Sequence, residues 1–581
     1  LENQRNLILA VVLCGLMIIG YDAAINIWYP QPDKPAATAT EAATPTTTGE
    51  KAETQHTRTG GLADPAEVAQ EKADLKVALA TPDRVRIDTP KVSGSINLVG
   101  ARIDDLVLKD YRETVDKDSG PVRLFSPAGT PAQHFAEFGF IANGARLPLD
   151  AKWTADGTTL GIGKPVTLSY TDAAGMAYRI KLSIDDSYMI TAQQTASNPG
   201  TGAAVVQPFS LVNRTSRTAS LDQWIAHSGP MGVFAEAANY DVDYDDLAEA
   251  GKVTPEGKVA WTGFTDIYWL SALVPQTGRD VAADYRALGN EQFRADLIYD
   301  PVTVPAGKAV TLSTRLYAGA KESVILDKYE NAGIEKFGLA IDWGWFRWFE
   351  KPMLWLLREL FELVGNFGVA IMCLTVIIRG VMFPIAQKQF ASMAAMKAVQ
   401  PKMKAIQDRF KDDKQRQQQE IMKLYKDEKV NPLAGCLPLL IQIPIFYALY
   451  KVLVLAIEMR HQPFVLWIKD LSAPDPLHVL NLFGALPLEV PPMLAIGPLA
   501  ILLGITMWLT FKLNPSAMDP VQQQIFNIMP WILMFVMAPF ATGLLLYWNT
   551  SNVLTLAQQK YLYSRHPQLR AASEAEKAAK A

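Results

Sequence analysis

Cysteine is scarce in this chain: of 581 residues only Cys14, Cys373 and Cys436 are cysteine, and each falls in an apolar run. The long polar stretch between Cys14 and Cys373 therefore needs no disulfides, and a Cys-rich metal site is excluded. Histidine is nearly as rare, six in all, and no pair has the His-x-x-x-His spacing of a zinc site. A Gly-x-x-x-x-Gly-Lys-[Ser/Thr] loop is missing, so no nucleotide site of that type is expected. Charge of one sign is not in excess either: 55 Lys+Arg against 59 Asp+Glu leave a net charge of −4, which gives no reason to expect DNA binding. No metal and no cofactor are expected.

What is abundant is apolar sequence, 49% of the chain. A mean hydropathy of +0.07 is high for a soluble protein and low for one buried throughout in lipid, so the average conceals a division. Residues 1–29 carry an apolar run from Leu7 to Tyr21 and end on Trp28-Tyr29, an aromatic pair suited to a membrane interface. A cleaved signal peptide is the alternative, but no small-x-small cleavage site follows, and an uncleaved first helix is expected. Residues 30–74 are rich in Ala, Thr and Pro and too poor in large apolar side chains to fold, which makes them a flexible linker.

From 75 to 335 the texture is that of strands. Val166-Thr167-Leu168-Ser169-Tyr170 leads through a short Gly-containing loop into Tyr178-Arg179-Ile180-Lys181-Leu182-Ser183-Ile184, a hairpin with period-two alternation. Similar runs at 95–99, 189–193 and 310–317 predict a large antiparallel β-sandwich. Residues 336–364 then concentrate Trp343, Trp345, Phe346, Trp348 and Phe349 ahead of apolar residues at helical spacing. This pattern fits an amphipathic helix in the headgroup layer, with a core helix of the sandwich as the alternative.

Five further apolar segments follow, at 366–384, 435–457, 493–511, 525–541 and 543–561. Each approaches the roughly 20 residues that a spanning helix needs. Together with the first helix they predict a polytopic α-helical membrane protein of six transmembrane helices, five of them forming the C-terminal core. The last two are almost continuous, so a tight turn is expected at 539–542. Lys and Arg crowd the 385–433 stretch, whereas residues 458–492 hold only Arg460 and Lys469. The positive-inside rule puts the 385–433 helical hairpin in the cytoplasm. Alternation through the remaining helices, across 434–563, places both termini and the 564–581 tail inside and the β-domain outside.

Arg379 is a charge within an apolar helix, five residues before Pro384. It is close enough to the helix end to snorkel, and equally placed to face a wet cavity. Polar company favours the cavity: Thr375 one turn earlier, Gln442 in the next segment, and the stretch Tyr547-Trp548-Asn549-Thr550-Ser551-Asn552 in the last. Interhelical hydrogen bonding is the alternative for these residues. Pro432, Pro438 and Pro444 recur every six residues around Gln442 and predict a bent helix. In the cytoplasmic hairpin Met393, Met396, Met403 and Met422 offer adaptable apolar contacts, or simply pack the hairpin on itself.

Several stretches resemble the YidC–Oxa family of membrane-protein insertases. They are Asn3-Gln4-Arg5-Asn6-Leu7, Gly94-Ser95-Ile96-Asn97-Leu98, Arg379-Gly380 with Pro384, and Asp413-Lys414-Gln415-Arg416. The longest, Lys429 to Phe446, includes Asn431-Pro432-Leu433-Ala434-Gly435-Cys436 and Pro438, Gln442 and Pro444. The resemblance implies a non-enzymatic insertase and chaperone of the inner membrane with a hydrophilic groove. Arg379 and Thr375 would lie in that groove with Gln442, Tyr547, Trp548, Asn549, Ser551 and Asn552. A Tyr-Tyr pair frequent in the family is here Tyr547-Trp548, so the second position would contact substrate by stacking rather than through a hydroxyl. The implied β-domain is periplasmic and similar to the super-sandwich of galactose mutarotases. The implied partners are nascent membrane proteins, the lipid bilayer, the Sec translocon, and the ribosome with the signal recognition particle pathway. Two rival classes stand beside it: a solute transporter, and a membrane-anchored carbohydrate-active β-domain using His134 or His227.

Overall fold

A computed structural model describes residues 75–565 apart from 82, 117, 221–225, 412, 429–436, 484, 487–489, 491–493 and 514–519. The expected first helix, the 30–74 linker, Pro432, Cys436 and residues 566–581 lie outside the described residues.

The alternating runs pair as strands. Val166–Thr171 and Ala177–Ile184 form the expected hairpin, with Tyr178 opposite Tyr170, and Tyr178, Ile180, Leu182 and Ile184 all point inward. Met189–Asn198 pairs along its whole length with Lys308–Ala320, from Met189 opposite Tyr317 to Asn198 opposite Lys308. The described strands make one 12-stranded and one 9-stranded sheet. Pairing between the described strands is antiparallel except where Arg84–Asp88 meets Thr159–Leu160, and an isolated bridge between Ile162 and Ile184 is also parallel. The sheets touch face to face over a core that includes Phe140, Tyr178, Trp261, Phe264, Tyr285 and Leu316. In the Gly94-Ser95-Ile96-Asn97-Leu98 motif the glycine is sterically required, since a Cβ at Gly94 would lie 1.9 Å from the Asp105 carbonyl oxygen. Next to it Ser95 donates to Asp105 Oδ2 (2.7 Å) and accepts from Arg84 Nε (2.8 Å), fixing the register beside a bulge.

Helices take over beyond residue 346. Helix α1 (Arg347–Val364) buries Glu350, Met353, Leu354 and Leu357 and leaves Trp348 and Trp355 exposed. Gly365, at φ 68°, ends it. The chain then bends by 120° into α2 (Phe367–Val381), whose first turn is capped by Asn366 accepting from the Val369 N–H (3.1 Å). The segment expected at 366–384 is shorter than its apolar run suggests: Pro384 sits in the first turn of α3 (Phe383–Arg409), the one place in a helix where proline costs nothing. α3 and α4 (Lys414–Asp427) form the hairpin, with Asp413 capping α4 and Tyr425 Oη against Met403 Sδ (3.3 Å). Met393 and Met396 fall on α3, and Met422, on α4, is exposed.

The remaining helices are α5 (Leu437–Leu455), α6 (Pro498–Leu513), α7 (Pro520–Met537) and α8 (Thr542–Arg565). The turn between α7 and α8 falls where expected, and Pro444 lies inside α5. Among the described residues no single helix is both long and apolar enough to cross a membrane. The bent pair 344–364 and 367–381 qualifies together, and Ile441–Leu455, Pro498–Lys512 and Asn527–Met537 are shorter apolar stretches.

Domain and helices share one apolar core, and polar groups brace the joint. Arg460, just past α5, donates to the carbonyls of Arg112 (2.8 Å) and Glu113 (3.2 Å) and lies over the rings of Tyr268 and Trp269. Lys351 pairs with Asp327 at 2.7 Å, and the buried Lys451 of α5 donates to the Asp342 carbonyl at 2.8 Å.

Candidate substrate groove

Thr375 and Arg379 are four residues apart on α2 and so share a face. Thr375 is buried, its hydroxyl turned back onto the Ile371 carbonyl at 2.7 Å. The half-buried Arg379 reaches α8, where its Nε donates to Ser551 Oγ at 3.0 Å and its Nη2 donates to the same oxygen. Among the described residues no carboxylate pairs with this guanidinium. One turn before Ser551 the buried Tyr547 accepts at its hydroxyl from Gln442 Nε2 of α5 (2.6 Å). Trp548 meets Phe446 of α5 edge-on, with ring centroids 5.0 Å apart. Three helices thus bring together Thr375, Arg379, Gln442, Tyr547, Trp548 and Ser551.

Asn549 and Asn552 turn elsewhere. Asn549 Nδ2 donates to the carbonyls of Leu499 (3.0 Å) and Leu545 (2.9 Å), and its Oδ1 accepts from Thr506 Oγ1 (3.2 Å). Asn552 Nδ2 donates to the same threonine hydroxyl at 3.0 Å. Both amides therefore sit on the α6–α8 seam, making the interhelical hydrogen bonds that their sequence setting equally allowed. Sequence reasoning misses their partner Thr506, whose only signal is a hydroxyl inside an apolar run.

The two histidines of the β-domain are committed separately. His134 shares a 2.9 Å hydrogen bond with Ser271 Oγ, and burial, with the Arg214 cation nearby, holds its imidazole well below its usual range. His227 Nε2 bonds the Pro230 carbonyl at 2.9 Å. These are structural roles, and the described residues contain no cluster of His, Cys, Asp and Glu able to hold a metal ion.

The described residues thus form a two-sheet domain braced onto a helical unit, with an arginine among its helices. Residues 84–356 match the family model of the YidC periplasmic domain, and residues 359–569 match that of the 60Kd inner membrane protein. Membrane protein insertase YidC of Zymomonas mobilis subsp. mobilis is 43% identical over 577 residues, covering 97% of this chain and 96% of the relative. The proteins of the same description from Nitrobacter hamburgensis and Beijerinckia indica subsp. indica are 43% and 41% identical, each at 97% and 96% coverage. The chain belongs to the YidC family of membrane protein insertases. That membership makes it an inner-membrane protein with a periplasmic β-domain, and an insertase rather than an enzyme.

Proposed function

We propose that the chain inserts nascent membrane proteins into the bilayer, and helps them fold, through a hydrophilic groove built from α2, α5 and α8. In this reading the first helix and α2, α5, α6, α7 and α8 cross the inner membrane, α1 lies in the outer headgroup layer, and α3 and α4 are cytoplasmic with both termini. The two facing sheets are the layers of a periplasmic super-sandwich. A substrate's polar flank enters beside Arg379, Gln442, Tyr547 and Ser551, while its apolar helix slides into lipid along α5 and α8. Polar walls lower the cost of taking peptide groups off water. A helix as short as α2, 15 residues and so about 22 Å, favours a locally thin bilayer. The ribosome and signal recognition particle pathway deliver substrates, and the Sec translocon shares them. The Met-rich hairpin, with Met403 and Met422, receives them on the cytoplasmic side.

One observation carries the groove reading: Arg379 is held by a neutral hydroxyl, Ser551, and no described carboxylate neutralises it. Its charge is free for an acidic residue in the incoming tail, on which the membrane potential also acts outward. The test is insertion of a small phage-coat-like substrate by Arg379→Ala and Arg379→Lys. A charge-assisted hydrogen bond of about 1.5–3 kcal/mol corresponds to a roughly 10- to 100-fold loss for acidic tails with alanine, and lysine should recover part of it. Wild-type insertion of every substrate by the alanine variant would remove the arginine from the mechanism.

A further inference from the structure

The chain returns from α5 to α6 through residues 456–497, and the first part of this connection is braced where α1 turns into α2. Asn366 Nδ2 donates to the carbonyls of Phe464 (3.2 Å) and Pro463 (3.5 Å). The Phe464 ring lies so close to Gly368 that a Cβ there would be 2.1 Å from it. Beyond this brace the backbone reverses sharply. Phe464 N–H donates to the Ile468 carbonyl (3.0 Å) and Ile468 N–H to that of Val465 (3.2 Å), leaving Val465 and Leu466 at the tip.

That tip would be costly in water. Leu466 holds a left-handed φ of 57° and is 86% exposed, and Val465 beside it is 49% exposed. Glycine or asparagine fills such a position more cheaply. Trp467 follows, its indole N–H held by Asp475 Oδ1 at 3.0 Å, and then the exposed Lys469. Bare aliphatic residues next to a tryptophan and a lysine are the composition of a membrane interface. Leu363, 81% exposed near the end of α1, stands three residues before Asn366, the residue that braces the turn.

We infer that the 464–468 turn is a lipid contact, with Val465 and Leu466 seated in the outer leaflet beside the α1–α2 corner. The inference rests on the proposal that α2 enters the membrane at Asn366. Two side chains are far too little surface for a stable protein partner, whereas a bilayer needs no complementary shape.

The experiment uses the full chain with Cys14, Cys373 and Cys436 replaced, reconstituted in phosphatidylethanolamine–phosphatidylglycerol vesicles. Nitroxides are placed singly at Leu466→Cys, at Val465→Cys, at Val376→Cys on the exposed face of α2, and at Ala174→Cys in the exposed hairpin loop of the β-domain. Collisions with oxygen and with a water-soluble nickel chelate report depth. Position 376 should be deep, 174 aqueous, and 465 and 466 oxygen-rich and nickel-poor at shallow depth. If 376 is deep while 465 and 466 meet nickel as freely as 174, the turn's lipid contact is refuted and the membrane reading of α2 stands. Nickel access at 376 as well would defeat both. Shielding of 466 from both reagents would show a protein cover and overturn the lipid contact.

Discussion

Both carboxylate oxygens of Glu350 are buried without a hydrogen-bond partner, although the residue lies on α1, outside the proposed spanning helices. Burial pushes its carboxyl up to about 8; the nearby Lys451 cation pulls the other way, and Asp342 adds to the rise. The folded chain therefore holds this proton more tightly than the unfolded one. Its contribution to stability is complete below the unfolded value near 4.5 and is lost as pH rises through about 8. Glu350→Gln, which imitates the protonated acid, should match the wild type near pH 5 and exceed it near pH 8.5. The gain should be on the order of 3 kcal/mol, because each tenfold difference in proton affinity between the folded and unfolded chain is worth about 1.4 kcal/mol. Thermal unfolding in detergent across that range checks it, and a gap that does not change with pH counts against it. Nothing local in the sequence marks Glu350. It stands among aromatic residues like any solvated carboxylate, and its burial comes from α5, about a hundred residues later. Arg379 was legible for the opposite reason, since a charge within an apolar run is conspicuous wherever its neighbours lie.

At the scale of elements, the strands were readable because period-two alternation records burial residue by residue, as in Ala177–Ile184. Helix ends are less legible: Pro384 belongs to the helix after the one it seems to close. The stretch from Tyr547 to Asn552 shows what pattern alone leaves open. Helical spacing separates Tyr547 and Ser551 from Asn549 and Asn552, but only packing order decides that the first pair faces α2 and α5 and the second faces α6. The two pairs should therefore fail differently. Asn549→Ala breaks the α6–α8 seam and should cost about 1–2 kcal/mol, lowering the thermal midpoint and affecting acidic and neutral substrate tails alike. Ser551→Ala alters the setting of Arg379 and should change the ratio of acidic-tail to neutral-tail insertion with little change in midpoint. Insertion of both tails, measured beside the melting curves, separates the two outcomes; a charge-dependent defect in Asn549→Ala would put the seam inside the groove.

Across the whole molecule the joint and the proposed groove draw on different residues. Arg460, Lys351 and Lys451 tie the β-domain and the stretch that follows it to α1 and α5, whereas the contacts among Arg379, Ser551, Gln442 and Tyr547 come from α2, α5 and α8 alone. The strands supply no side chain to them. Removing residues 84–320 strips Arg460 of both carbonyl acceptors and of the two rings beneath it. It also exposes part of a core that runs continuously from sheets to helices. The shortened protein should melt lower, since burial lost at a joint is lost stability. It should still insert substrates in vesicles, at rates within a few-fold of the full chain when compared well below its own melting temperature, because such a deletion leaves every groove hydrogen bond in place. Failure at a temperature where α2, α5 and α8 remain folded by hydrogen exchange would mean that the sheets act on the substrate directly, and the groove could then no longer be treated as a unit of the helices alone.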